Sequence, residues 1–240
     1  MKIAEKLKAT TIDRHKAGVT IAFLGDSVTQ GCFELYLKNG EVATIFEQQS
    51  AYCHRVFDIL AMLYPRVPVN IINAGRSGDR ASRGINRLER DVLCHDPDLV
   101  VVCYGLNDCR RDEGSVSTYQ NALRDIFTAV QAAGSELIFM TPNMMNTDLS
   151  PHMTEPKFIA VATDTAGRQN DGILDAHLAA ARALCAEMGV PVCDCYKIWQ
   201  SMHRGGVNTT ELLANKINHP TREMHQLFAY ELVKTMLEVN

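Results

Sequence analysis

Four short segments of this sequence hold residue types that can do chemistry together: Gly25-Asp26-Ser27, Asn73-Ala74-Gly75-Arg76-Ser77-Gly78-Asp79, Gly105-Leu106-Asn107-Asp108 and Asn218-His219-Pro220. A serine hydroxyl becomes an effective nucleophile when a neighbouring base takes its proton, and histidine is the usual base. His219 stands out among the histidines because it precedes Pro220 in a loop just before the last helical pattern. His15, His54, His95, His152, His177, His203 and His225 have no matching partner segment and read as surface or core residues. Attack on a carbonyl builds negative charge on its oxygen, and losing one donor to that oxygen costs about a hundred- to a thousand-fold in rate. Three donors can be named. The Ser27 N–H opens a helix, where amides are unpaired and the dipole favours an anion. The Gly78 N–H lies in a glycine-punctuated turn that permits close approach. The third is the Asn107 side-chain amide. Asp26 and Asp79 read as helix caps or turn braces.

These residues need a frame that brings them together. Apolar, β-branched runs at Val19–Leu24, Val67–Asn73, Asp98–Tyr104, Glu136–Thr141 and Val190–Cys195 predict five strands. Helical patterns follow them at 51–64, 80–93, 117–133, 171–188 and 221–239. Short, continuously apolar strands alternating with helices predict a parallel sheet covered on both faces, an α/β three-layer sandwich. Right-handed crossovers in such a fold put ligands at the carboxyl ends of the strands. Ser27, Gly78 and Asn107 each follow a predicted strand, so the frame and the chemistry agree. Residues 1–240 read as one domain, with an N-terminal extension over 1–18. Residues 142–169, rich in proline and methionine, read as a long loop facing the substrate, since loops of this length are usually functional or disordered. Its methionines would give a ligand an adaptable wall or pack the loop down.

Composition narrows the function classes. Apolar residues make up 46% of the 240, and charged residues 22%, as in a globular protein with a substantial core. A net charge of −4, without clustering, points away from nucleic-acid partners. No run approaches the roughly 20 apolar residues of a membrane span, so no membrane insertion is expected. The first residues lack the apolar stretch of a secretory signal, and a cytoplasmic location is expected. Cys193-Asp194-Cys195 is too closely spaced for the usual zinc or redox pattern, and Cys53, Cys94, Cys103 and Cys185 read as reduced core residues. No cofactor or metal is expected. Thr29 occupies the second-glycine position of a G-x-S-x-G elbow, which excludes that motif. The Walker and dinucleotide fingerprints are also incomplete. Arg76, Arg80 and Arg83 read as a solvated face that could alternatively meet an anionic substrate group.

Together, Gly25-Asp26-Ser27, Gly78, Gly105-Leu106-Asn107-Asp108 and His219-Pro220 resemble the four blocks of the SGNH (GDSL-type) hydrolases, in order and across residues 19–239. The resemblance implies a flavodoxin-like α/β/α fold and hydrolysis of a small-molecule ester. It implies Ser27 as nucleophile, His219 as base, and Ser27, Gly78 and Asn107 as the oxyanion hole. One position departs from the pattern. Three residues before the histidine the family usually carries an aspartate that orients the imidazole, and this chain has Lys216. A lysine cannot accept the imidazole N–H. The expectation is a Ser–His dyad, with a backbone carbonyl or another side chain in the acceptor's place, cleaving a small acyl ester such as an acetylated sugar. An acyltransferase of the same fold and an impaired ester- or carbohydrate-binding protein remain open at this point.

Overall fold

The strand-forming runs alternate their side chains between two cores. Ile21, Phe23, Val101 and Ile138 enter one; Ala22, Leu24, Val100, Val102, Leu137 and Phe139 enter the other. The structure, a computed structural model, describes residues 1–13 and 15–238. In chain order its elements are α1 (Lys2–Ile12), β1 (Val19–Gly25), α2 (Ser27–Gln30), β2 (Cys32–Lys38), β3 (Glu41–Phe46), α3 (Tyr52–Leu63), β4 (Val69–Gly75), α4 (Ala81–Asp91), β5 (Leu99–Cys103), α5 (Ser115–Ala132), β6 (Glu136–Met140), α6 (Pro156–Asn170), α7 (Ile173–Met188), β7 (Val192–Cys193), α8 (Cys195–Arg204) and α9 (Arg222–Leu237).

Five strands pair in parallel in the order β4-β1-β5-β6-β7. Helices α1, α3, α8 and α9 cover one face, and α4 and α5 cover the other, which gives the three-layer α/β/α sandwich. The strand order reverses between β1 and β5, so a crevice opens at their carboxyl ends. Ser27 follows β1 there, the Arg76–Asp79 turn follows β4, and Asn107 follows β5. Among the described residues no helix is long and apolar enough to cross a membrane.

Several stretches differ from the sequence reading. The strand expected over Val190–Cys195 is only Val192–Cys193, and α8, not expected, starts at Cys195. Most of the 1–18 extension is α1, whose Ile3 and Leu7 are buried in the core; Arg14 lies outside the described residues. The latter half of 142–169 is helical, because Pro156 starts α6 and Ala162, Thr165, Ala166 and Gln169 form a buried face at i, i+3, i+4 and i+7. That face is built from small and polar residues, so hydrophobic periodicity missed it. Met144 and Met145 are buried in the core cluster, so these two do not form an exposed ligand wall. The last helix ends at Leu237, and Val239 lies outside the described residues. Residues 32–46, to which no element had been assigned, form an antiparallel β2–β3 hairpin. Its turn residues Asn39 and Gly40 both have positive φ, 55° and 79°, as a type I′ turn requires. Cys94, read as a core residue, is exposed, whereas the other seven cysteines are buried.

Candidate active site

Ser27 is the first residue of α2, immediately after β1, and its side chain is buried. Asp26 caps this short helix, accepting the Val28 N–H at 2.9 Å, so of the two readings of Asp26 the helix cap holds. The end of β4 packs directly on α2. A Cβ at Gly75 would lie 2.2 Å from the Gln30 nitrogen, a contact that only glycine avoids. The following turn is tied to the same helix by the Ser77 N–H, which donates to Gln30 Oε1 at 2.7 Å. Gly78 then takes φ 72°, with open space where a side chain would stand. The Asn107 amide donates to the Asp79 carbonyl at 3.0 Å and lies 3.5 Å from Asp26 Oδ2. Asn107 therefore joins the neighbour of Gly78 to the neighbour of Ser27.

A buried arginine that the sequence reading passed over braces this side of the site. Arg87 Nε pairs with Asp79 at 2.7 Å, Nη1 donates to the Ala74 carbonyl at 2.6 Å, and Nη2 donates to the Gly25 carbonyl at 3.0 Å. One guanidinium thus holds the last turns of β1 and β4 in register. Its helical spacing with the exposed Arg83 and Arg90 hid it among charged neighbours. Burial pushes the Asp26 carboxyl up to about 7, with the charges of Asp108 and Asp79 adding to the effect. Asp108 is pushed up to about 7 by the same desolvation.

His219 arrives from the other end of the chain. The Asn215 side-chain oxygen accepts the N–H groups of Ile217, Asn218 and His219 at 3.0, 2.9 and 2.9 Å, fixing the loop as one unit. The Asn143 amide donates to the Asn218 carbonyl at 2.9 Å, anchoring that loop to the end of β6. His219 Nε2 lies 3.0 Å from Ser27 Oγ, and His219 Nδ1 lies 2.9 Å from the Phe33 carbonyl. A carbonyl only accepts, so Nδ1 carries the proton and Nε2 is free to accept from the serine hydroxyl. Burial pushes the imidazole below its ordinary value, opposed by the Phe33 hydrogen bond and the charge of Glu34. Lys216 pairs instead with the Glu211 carboxylate at 3.0 Å and the Glu211 carbonyl at 2.9 Å.

The structure thus joins Ser27 and His219 directly and links Asn107 to the segments that carry Ser27 and Gly78. Arg76 and Arg83 are exposed on the rim, while Arg80 is half-buried. No group of three or more His, Cys, Asp or Glu among the described residues is disposed to hold a metal ion. The acceptor at Phe33 was not legible as such, because any residue's carbonyl can fill that role.

An acetylxylan esterase from Geobacillus stearothermophilus is 26% identical over 135 residues, a match covering 52% of this chain and 60% of that relative. Among solved structures, a variant of an acetyl-xylooligosaccharide esterase from Geobacillus superposes with a TM-score of 0.69 at 19% identity, covering 93% of this chain and 96% of that one. A lipase/acylhydrolase from Enterococcus faecalis gives 0.66 at 23% identity, covering 91% and 95%. A two-domain esterase active on acetylated mannans gives 0.64 at 20% identity, covering all of this chain and 54% of that one. At these identities the superpositions speak to the fold. The model of the GDSL-like Lipase/Acylhydrolase family matches residues 23–227, most of the sequence, and the chain belongs to that family.

Proposed function

We propose that this protein is a carboxylic ester hydrolase that cleaves a small acyl ester through a Ser27 acyl-enzyme, with His219 as the base. The observation that carries this reading is the 3.0 Å contact between Ser27 Oγ and His219 Nε2, on an imidazole whose other nitrogen is already held by Phe33. As Oγ attacks the ester carbonyl, its proton passes to Nε2 and the carbonyl π pair moves onto oxygen. The resulting oxyanion is received by the Ser27 and Gly78 N–H groups and the Asn107 amide. Collapse of the intermediate breaks the ester C–O bond, and the leaving alkoxide takes the proton from His219. A water then gives a proton to His219 and attacks the acyl carbon. Release of the carboxylic acid returns that proton to Ser27 Oγ.

The names of the relatives support an acetylated sugar as the substrate class. Small acyl groups suit a serine packed directly beneath a buried histidine. The impaired-binder alternative rested on a missing acceptor for the imidazole, and the Phe33 carbonyl fills that position. The expected result is that Ser27→Ala abolishes hydrolysis of short-chain p-nitrophenyl esters and of acetylated xylo-oligosaccharides. Unchanged turnover in folded Ser27→Ala protein would rule the reading out.

A further inference from the structure

A carboxylate partner gives a catalytic histidine two things: a fixed acceptor and a negative charge that stabilises the imidazolium. The Phe33 carbonyl is neutral and supplies only the first. Three charged groups surround the segment that carries it. Arg222, three residues beyond His219, donates to Glu34 through Nη1 at 2.6 Å and Nη2 at 3.0 Å. It also grips both carboxylate oxygens of Glu47, with Nε at 2.8 Å from one of them. Its guanidinium carbon lies 4.4 Å from the Phe33 ring centroid. Glu34 directly follows Phe33, and the Glu47 N–H donates to the Gly31 carbonyl at 2.8 Å. One arginine therefore clamps both ends of the hairpin base onto the start of α9, beside the histidine. Two carboxylates against one guanidinium leave the cluster with a net negative charge.

We infer that Arg222 is a positioning residue that fixes the Phe33 carbonyl against His219, and that Glu34 supplies the negative charge normally given by the absent aspartate. This rests on the Ser27–His219 reading and deepens it. The geometry suits Arg222 to this task, because a planar fork can hold two carboxylates while stacking on an aromatic ring, and a lysine cannot. Titratable or charged groups on the segments that carry Phe33, Ser27 and His219 include Glu34 and Cys32 on β2, Glu47 after β3, Arg222 and His225 on α9, and Asp26 before α2; of these, Glu34 and His225 interact electrostatically with the imidazole. Burial raises the Cys32 thiol to about 12 and lowers His225 to about 3, so both stay neutral at working pH. Glu34 is the anion whose charge favours the His219 imidazolium.

The test is kcat and KM for p-nitrophenyl acetate across pH in purified wild type, Arg222→Gln, Arg222→Lys and Glu34→Gln. Loss of the clamp in Arg222→Gln lowers kcat by about tenfold to a hundredfold, as misplacement of a catalytic group does, with little change in KM. It also leaves Glu34 and Glu47 unbalanced, so the acid limb of kcat/KM moves to higher pH. Glu34→Gln removes the favouring charge and moves that limb to lower pH. Arg222→Lys returns the acid limb toward wild type but recovers only part of kcat. If Arg222→Gln does not fold, Glu34→Gln alone decides, since Arg222 and Glu47 remain paired in it. An acid limb unmoved in Glu34→Gln, or moved the same way in both variants, overturns the inference. Ser27→Ala and His219→Ala controls separate the two failures. Activity that survives them sinks the Ser27–His219 reading, whereas activity that needs them but ignores Arg222 and Glu34 sinks only this inference.

Discussion

The two halves of the site are built in different ways. The serine half lies at the ends of three adjacent strands, β1, β4 and β5, and its parts are conformationally demanding residues: Gly75 against α2, Gly78 at positive φ, and Asn107 bridging Asp79 toward Asp26. The histidine half is assembled across the chain. His219 meets Ser27 and Phe33 over sequence separations of 192 and 186 residues, on a loop organised by Asn215 and clamped through Arg222. The lesson is that a half built by backbone conformation writes its residues into the sequence. A half built by hydrogen bonds to backbone groups does not, because a carbonyl has no residue type.

The sharpest way to break the comparison is on the serine half. If Asn107 is an oxyanion donor, Asn107→Ala lowers kcat by about a hundred- to a thousand-fold with little effect on KM in steady-state kinetics. A loss confined to KM would make Asn107 a binding residue only, or a brace between Asp79 and Asp26. The histidine half predicts a much smaller effect at the position where the family pattern departs. Lys216 is paired with Glu211, and the Phe33 carbonyl already holds Nδ1. Lys216→Asp therefore breaks the pair with Glu211 but leaves the imidazole held, and kcat/KM stays within about threefold of wild type, on the order of a surface substitution's effect. A tenfold or larger gain would mean that the carbonyl is a poor acceptor and that the aspartate completes an unfinished triad.

The same contrast explains what could be read in advance. The five parallel strands were legible because each is short, apolar and followed by a helix. Each of the turns that carry Ser27, Gly78 and Asn107 would pass alone for an ordinary turn or cap; they were legible because they occur together, in order, at the ends of predicted strands. Helix α6 was obscured by its buried face of alanine, threonine and glutamine, which carries little hydrophobic signal. The β2–β3 hairpin did carry a signal, Asn39-Gly40 between alternating strand residues, but that hairpin lies outside the βαβ pattern that organised the reading. Missing the hairpin meant missing Phe33, Glu34 and Glu47 together. Arg87 was hidden for a different reason: a charged residue between charged neighbours gives no hint that it joins Ala81, Gly84 and Leu88 on the buried side of α4 and reaches Asp79, Ala74 and Gly25.

The central claim is that His219, held by Phe33, makes the Ser27 oxygen nucleophilic. Its most direct measurement is the rate and site of labelling by a fluorophosphonate, followed by intact-protein and peptide mass spectrometry. One adduct per chain, on Ser27, is expected in wild type, formed orders of magnitude more slowly in folded His219→Ala. Equal labelling rates in the two proteins, or an adduct on any other residue, would contradict the account.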